Sequence, residues 1–237
     1  MDLDWSEQSP HIRSLFRPWQ DGDGYEEDTI AAAEAQYGVR LPMILRSFYR
    51  TWGRRSDLTQ MNEYLLAPDQ WVVHAGALIF CVENQAGAYW ALPVESLDEA
   101  DPPVVEADAG PEMSVWEVTV DLEWRTRRQH VSAFLDDLTY LHAFSGGALH
   151  GVHSGRQRPE PSQKEWLERT WRKAAVLSLQ VSIPAANDWL GSPTYVPTYV
   201  RDGQALEWFD RCSAVANSVE ALDEIARALA ITWEERW

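Results

Sequence analysis

The chain has 237 residues, enough for one large domain or two small ones around a substantial core. Its 37 acidic residues against 20 Lys and Arg give a formal net charge of −17, a field that repels nucleic acid and anionic lipid and draws in basic protein surfaces. No run approaches the roughly 18 apolar residues of a membrane span, and the acidic start MDLDWSEQSP has no apolar signal region, so a cytoplasmic protein is expected.

In chain order, DTIAAAEAQYG (28–38) reads as a first helix, with Asp28 as N-cap and Gly38 as the left-handed stop. Pro42 suits the first position of a second helix, whose apolar stripe is Ile44, Leu45, Phe48, Tyr49 and Trp52, with Gly53 ending it. The period then changes to that of strands. QWVV (70–73) and LIFCV (78–82) are β-rich runs, and AYWALP (88–93) follows a turn holding Glu83, Asn84, Gln85 and Gly87. Asp101-Pro102-Pro103 demands an extended link, and VWEVTVDLEW (115–124) alternates as a further strand. VSAFLDDLTYLHAF (131–144) is an amphipathic helix stopped by Gly146-Gly147.

Residues 145–161 are rich in Gly, Ser and Pro and read as a linker. Beyond them, Ser162 and Glu165 have capping-box spacing ahead of a helix, VLSLQVSI (176–183) reads as a strand, and Asp202-Gly203 joins a hairpin of 198–201 and 204–209. A last helix runs from about Ser218 to Leu229, with Asn217 and Glu220 as its cap pair.

Charge is distributed unevenly. Between Arg55 and Arg125 lie fourteen Asp and Glu and no Lys or Arg. Residues 1–150 hold 25 acids and 10 bases, whereas 151–237 hold 12 and 10, so the negative charge concentrates on the first part. Such a run serves either as a solvated face or as a docking face for a cationic partner.

Motifs of catalysis are missing. Asp21-Gly22-Asp23-Gly24 fails as a calcium loop, because the register that uses Asp23 and Gly24 puts Trp19 and Ile30 where ligands must stand. His142, His150 and His153 have no metal-ligand spacing, and the last two fall in the Gly-rich loop. There is no GxSxG elbow, GxGxxG or Walker loop. Cys81 and Cys212, far apart, read as buried free thiols of a reducing compartment. Neither a cofactor nor a metal is expected.

Taken in order, Tyr37-Gly38, Leu41-Pro42, Phe48-Tyr49, Trp52-Gly53, Phe80, Glu83-Asn84-Gln85, Trp90, Asp101-Pro102-Pro103-Val104 and the helix around Val131, Phe134 and Leu135 resemble the SUKH superfamily. That superfamily takes in the Smi/Knr-like cell-wall regulators and many bacterial immunity proteins. The resemblance covers about residues 28–145. It implies an α+β fold with a mixed, mostly antiparallel sheet and flanking helices, and a binding protein rather than an enzyme. The expected organisation is a SUKH-like domain over 1–145, a linker over 146–161 and an α+β extension or small second domain over 162–237.

The function expected on these grounds is an immunity protein that neutralises a basic toxin, of nuclease type, through an acidic face. The residues assigned to that face are Glu95, Asp98, Glu99, Asp101, Glu106, Asp108 and Glu112, with Glu83, Asn84 and Gln85 as a second contact. Two other readings stay open: a Smi/Knr-type regulator or scaffold whose partner is a cellular protein, and an enzyme that holds a divalent metal on Glu95, Asp98, Glu99 and Asp101.

Overall fold

The computed structural model describes residues 10–61, 63–84, 87–108, 122–174, 198–208 and 211–237. The architecture is α+β, and the described residues form two antiparallel sheets with flanking helices.

Among the described residues, four helices precede the first sheet: α1 (Pro10–Arg13), α2 (Glu27–Tyr37), α3 (Met43–Trp52) and α4 (Ser56–Thr59). Gly38 closes α2 at φ 65°, and an N–H at this cap reaches the Glu34 carbonyl, as a left-handed stop requires. The α2 N-terminus differs from expectation. The cap position is Glu26, without a side-chain bond, and Asp28 instead lies in the first turn, where its charge complements the helix dipole. Pro42 likewise stands one residue before its helix, as N-cap of α3. The whole predicted stripe of α3, from Ile44 to Trp52, is buried.

The first sheet holds β1 (Tyr64–Leu65), β2 (Val72–His74), β3 (Ala77–Val82), β4 (Ala88–Pro93), β5 (Pro103–Asp108) and β6 (Arg125–His130). Its order is β1-β3-β4-β5-β6, with β2 also paired to β3. Strands β3 and β4 are apolar almost throughout and buried almost throughout, as expected of central strands covered on both faces. Helix α5 (Val131–His142) packs Phe134 on the sheet, edge-on to Phe80 at 5.3 Å and tilted to Trp90 at 5.8 Å. Of the strand expected over 115–124, residues 115–121 lie outside the described residues, and Leu122–Trp124 are irregular. The ladder resumes with the polar RTRRQH of β6, which pairs with β5.

The second sheet corrects the linker reading. Residues His150–Arg156 form β7, paired with two strands, and follow a turn of π-type at Ala143–Gly147. The sequence HGVHSGR has no hydrophobic alternation; its strand character comes from neighbours that satisfy its backbone. The remaining elements are α6 (Pro161–Thr170), β8 (Arg172–Ala174), β9 (Thr198–Arg201), β10 (Gln204–Trp208), β11 (Arg211–Ala216), α7 (Val219–Leu229) and β12 (Trp233–Arg236), in sheet order β12-β7-β11-β10-β9-β8. The Asp202-Gly203 hairpin forms as expected, with Gly203 at φ 65°. The caps shift, by two residues toward the N-terminus at α6 and by one residue the other way at α7. The Glu160 N–H donates to Gln163 Oε1, and Ser218 Oγ accepts from the Ala221 N–H. The strand expected over 176–183 lies outside the described residues.

Alternation sorts the second sheet between two cores. Val152, Tyr199, Leu206, Cys212, Ala214 and Ala216 face α6 and α7. Val200, Ala205 and Val215, on the opposite face, join the core built on the first sheet. The two sheets are thus tied by a shared apolar row.

Candidate functional site

The expected acids fall into two groups once the fold is known. Strand β4 leaves the sheet at Pro93 into a single 3-10 turn, Val94–Ser96. The Val94 N–H donates to the Gly76 carbonyl at 2.9 Å, fixing this exit against the tight β2–β3 turn, where Ala75 and Gly76 both have positive φ. Leu97 is buried beneath the turn and anchors it. Glu95, Asp98 and Glu99 stand exposed around that anchor. Two exposed aliphatic side chains share the corner, Val73 on β2 and Val94 itself. The outcome is three exposed carboxylates on one short segment, with the exposed Val94 among them and the exposed Val73 on β2, across β3.

The other acids bond within the chain. Asp101 caps α5 from outside the helix: Oδ1 accepts from the Ser132 N–H at 2.9 Å and Oδ2 from the Ser132 hydroxyl at 2.5 Å. The negative carboxylate at a helix N-terminus also meets the dipole favourably. Glu106 Oε2 accepts from the Trp90 indole at 3.1 Å, and Asp108 pairs with Arg125. Glu83 Oε2 accepts from the Gly87 N–H at 2.9 Å, closing the β3–β4 turn, while the Asn84 N–H donates to Glu63 Oε2. Glu112 and Gln85 lie outside the described residues. Of the ten predicted contact residues, then, Glu95, Asp98 and Glu99 are the described ones that fold into one solvent-facing group.

This separation bears on the metal reading. Asp101 is directed to α5, and among the described residues no three His, Cys, Asp or Glu side chains come together to hold a metal ion. No helix among the described residues is long and apolar enough to cross a membrane.

Elsewhere, buried charge serves the framework. The Arg55 guanidinium, wholly buried, donates to both carboxylate oxygens of Asp57 and to the Arg17 carbonyl, and lies 4.9 Å over the Trp52 ring. Asp23 is held below the usual carboxylate range by its hydrogen bond from Arg17, against the cost of burial. His142, at the end of α5, is pushed down to about 4 by burial. Backbone groups of Leu58 and Glu63 favour its protonated form and oppose that shift without reversing it. Burial likewise raises the Cys212 thiol, leaving it an inert apolar side chain.

The acids stand out in the sequence, whereas the exposure of Val73 and Val94 does not. The available signal was modest: Val73 closes a strand run that begins with the buried Trp71, and Val94 directly follows the Pro93 strand end. No family model, curated protein or solved structure matches this chain.

Proposed function

We propose that this chain is an immunity-type binding protein that neutralises a basic toxin domain, of nuclease type, by docking through the corner formed by Val73, Val94, Glu95, Asp98 and Glu99. The observation that carries this reading is the grouping of three exposed carboxylates on one anchored turn beside two exposed valines. A nuclease must present Lys and Arg to phosphates. Carboxylates facing those cations speed association, and covering them blocks substrate entry. An apolar centre ringed by charge is also the arrangement in which short-range packing slows dissociation while the rim steers approach. The protein acts here by occupying a surface, and the partner-facing corner needs no bond-breaking chemistry.

Paired baits test the idea: the wild-type protein and a Glu95→Lys/Asp98→Lys/Glu99→Lys variant, exposed to the native lysate at low and high salt. The expected outcome is a basic partner with nuclease activity, retained by the wild type at low salt, released at high salt and missed by the variant, and inhibited when wild-type protein is added back. Equal capture by both baits, or capture without inhibition, refutes the proposal.

A further inference from the structure

The face of the second sheet turned away from α6 and α7 carries two adjacent rows of side chains. In one, Val200, Ala205, Val215 and Gly151 align across β9, β10, β11 and β7. Its three aliphatic members are sealed in the first core. Two residues along each strand, the neighbouring row reads Thr198, Glu207, Ser213 and His153, with Glu235 beyond it on β12. Directly opposed residues on antiparallel strands hold their Cβ atoms about 4.5–5.5 Å apart, so this row is continuous.

The row is internally bonded. The Thr198 hydroxyl donates to Glu207 Oε1 at 3.2 Å, and His153 Nδ1 lies 2.9 Å from the Ser213 hydroxyl oxygen. The imidazole is held in place by Trp237, whose ring centroid is 4.5 Å away. That indole rests on Gly151: a Cβ there would fall 2.0 Å from the ring, so only glycine admits it. Glu207, Ser213 and His153 are all half-buried, at the rim of an apolar seam.

Local electrostatics suit chemistry. Burial, then the Arg211 charge, lower the His153 imidazole, with Glu235 acting against them, so the ring is a neutral base near neutral pH. Burial raises the Glu207 carboxyl to about 7, opposed by the Thr198 hydrogen bond, so a share of it keeps a proton to donate. A hydroxyl within reach of a base that is itself positioned by a third group is the arrangement of an activated nucleophile.

We propose that Ser213 is a nucleophile activated by His153, and that this row accepts an acyl ester. Ser213 Oγ forms a bond to the acyl carbon and passes its proton to His153 Nδ1. The ester C–O bond breaks, and the departing oxygen takes that proton from the imidazolium, giving an alcohol and an acyl-serine. Water, deprotonated by the same imidazole, then releases the acid and restores the serine. Glu207, opposite Ser213 across the strand pair, is placed to donate to the carbonyl oxygen as it gains charge. This site lies on the second sheet and is independent of the acidic corner, which could fail as a docking face without affecting it.

Fluorophosphonate–biotin added to the full chain tests the proposal. Its P–F bond breaks as the Ser213 Oγ–P bond forms, fluoride leaves and the hydroxyl proton passes to His153. The expected result is one label per chain on the peptide that holds Ser213, absent after heat unfolding and absent in Ser213→Ala. Labelling should slow at least ~100-fold in His153→Gln, the lower end of what a positioned base supplies. For the wild type, the rate should rise with pH about a midpoint below that of free imidazole. Failure to label folded wild-type protein, labelling at another residue, equal labelling of folded and unfolded chains, or an unchanged rate in His153→Gln at an unchanged melting temperature overturns it. Should either variant melt early, the position of the label on folded wild-type protein decides.

Discussion

The two sheets are built from different materials. The first is filled by large rings: Trp52, Trp71, Trp90, Tyr49, Tyr89, Phe48, Phe80 and Phe134 are all essentially inaccessible. The second core also holds rings, Trp171, Tyr199 and Trp208, but its strand β11 contributes only small residues, Cys212, Ala214 and Ala216, toward Leu222 and Ile225 of α7. Large rings fill space at high cost of removal, whereas small side chains let strand and helix approach closely and leave little to delete. The proposed roles follow the same division. The first sheet offers an acidic corner that faces out; the second offers a polar row at its seam.

The sharpest expected contrast is in stability. Trp90 is fully buried, donates its indole to Glu106 and packs on Phe134. Replacing it with alanine should cost about 3–5 kcal/mol in urea unfolding, whereas Cys212→Ala in the second core should cost about 1 kcal/mol. Equal losses would break the distinction between the ring-filled first core and the small β11 positions of the second.

Next in size is a pair of opposed pH effects. The unfolded His142 imidazole takes up a proton near 6.5, but the buried ring refuses it until about 4. Acidification through that window therefore favours the unfolded chain, by about 3 kcal/mol at its end. Glu207 acts in the other direction. The folded carboxyl keeps its proton up to about 7 while the unfolded one releases it near 4.5, so raising the pH through that window favours unfolding. In the wild type the two partly offset each other. Chemical denaturation across pH should show His142→Gln losing the acid-side decline and Glu207→Gln losing the alkaline-side decline. Parallel profiles for the two variants would contradict both assignments.

Smaller effects separate the two groups of acids. Asp101→Ala removes the bonds to Ser132 at the start of α5 and should lower stability by about 1 kcal/mol in thermal melts. Reversal of Glu95, Asp98 and Glu99 to Lys should leave stability within about 0.5 kcal/mol, because these side chains are exposed. A large loss from the triple reversal would mean that the corner is structural.

Where the sequence was legible, a local signal agreed with the tertiary environment. Strands β3 and β4 are continuous apolar runs, Gly38 and Gly203 sit at left-handed positions, and the α3 stripe is complete. Strands β6, β7 and β11 escaped notice because RTRRQH, HGVHSGR and RCSAVA carry polar, small or glycine residues that become strands only beside partners. The roles of Asp101 and Glu106 were hidden because their partners, Ser132 and Trp90, lie 31 and 16 residues away. The Ser213–His153 pair spans 60 residues and was obscured further by reading its histidine strand as linker. Composition located the charge; register decided which charges face solvent.

Docking at the exposed corner is read out by association kinetics. With the captured basic partner immobilised, the association rate should fall steeply as salt rises. The Glu95→Lys/Asp98→Lys/Glu99→Lys variant should associate at least ~10-fold more slowly at low salt, within the range that steering supplies, and lose most of the salt dependence. An association rate and salt slope unchanged by the triple reversal would contradict the docking corner.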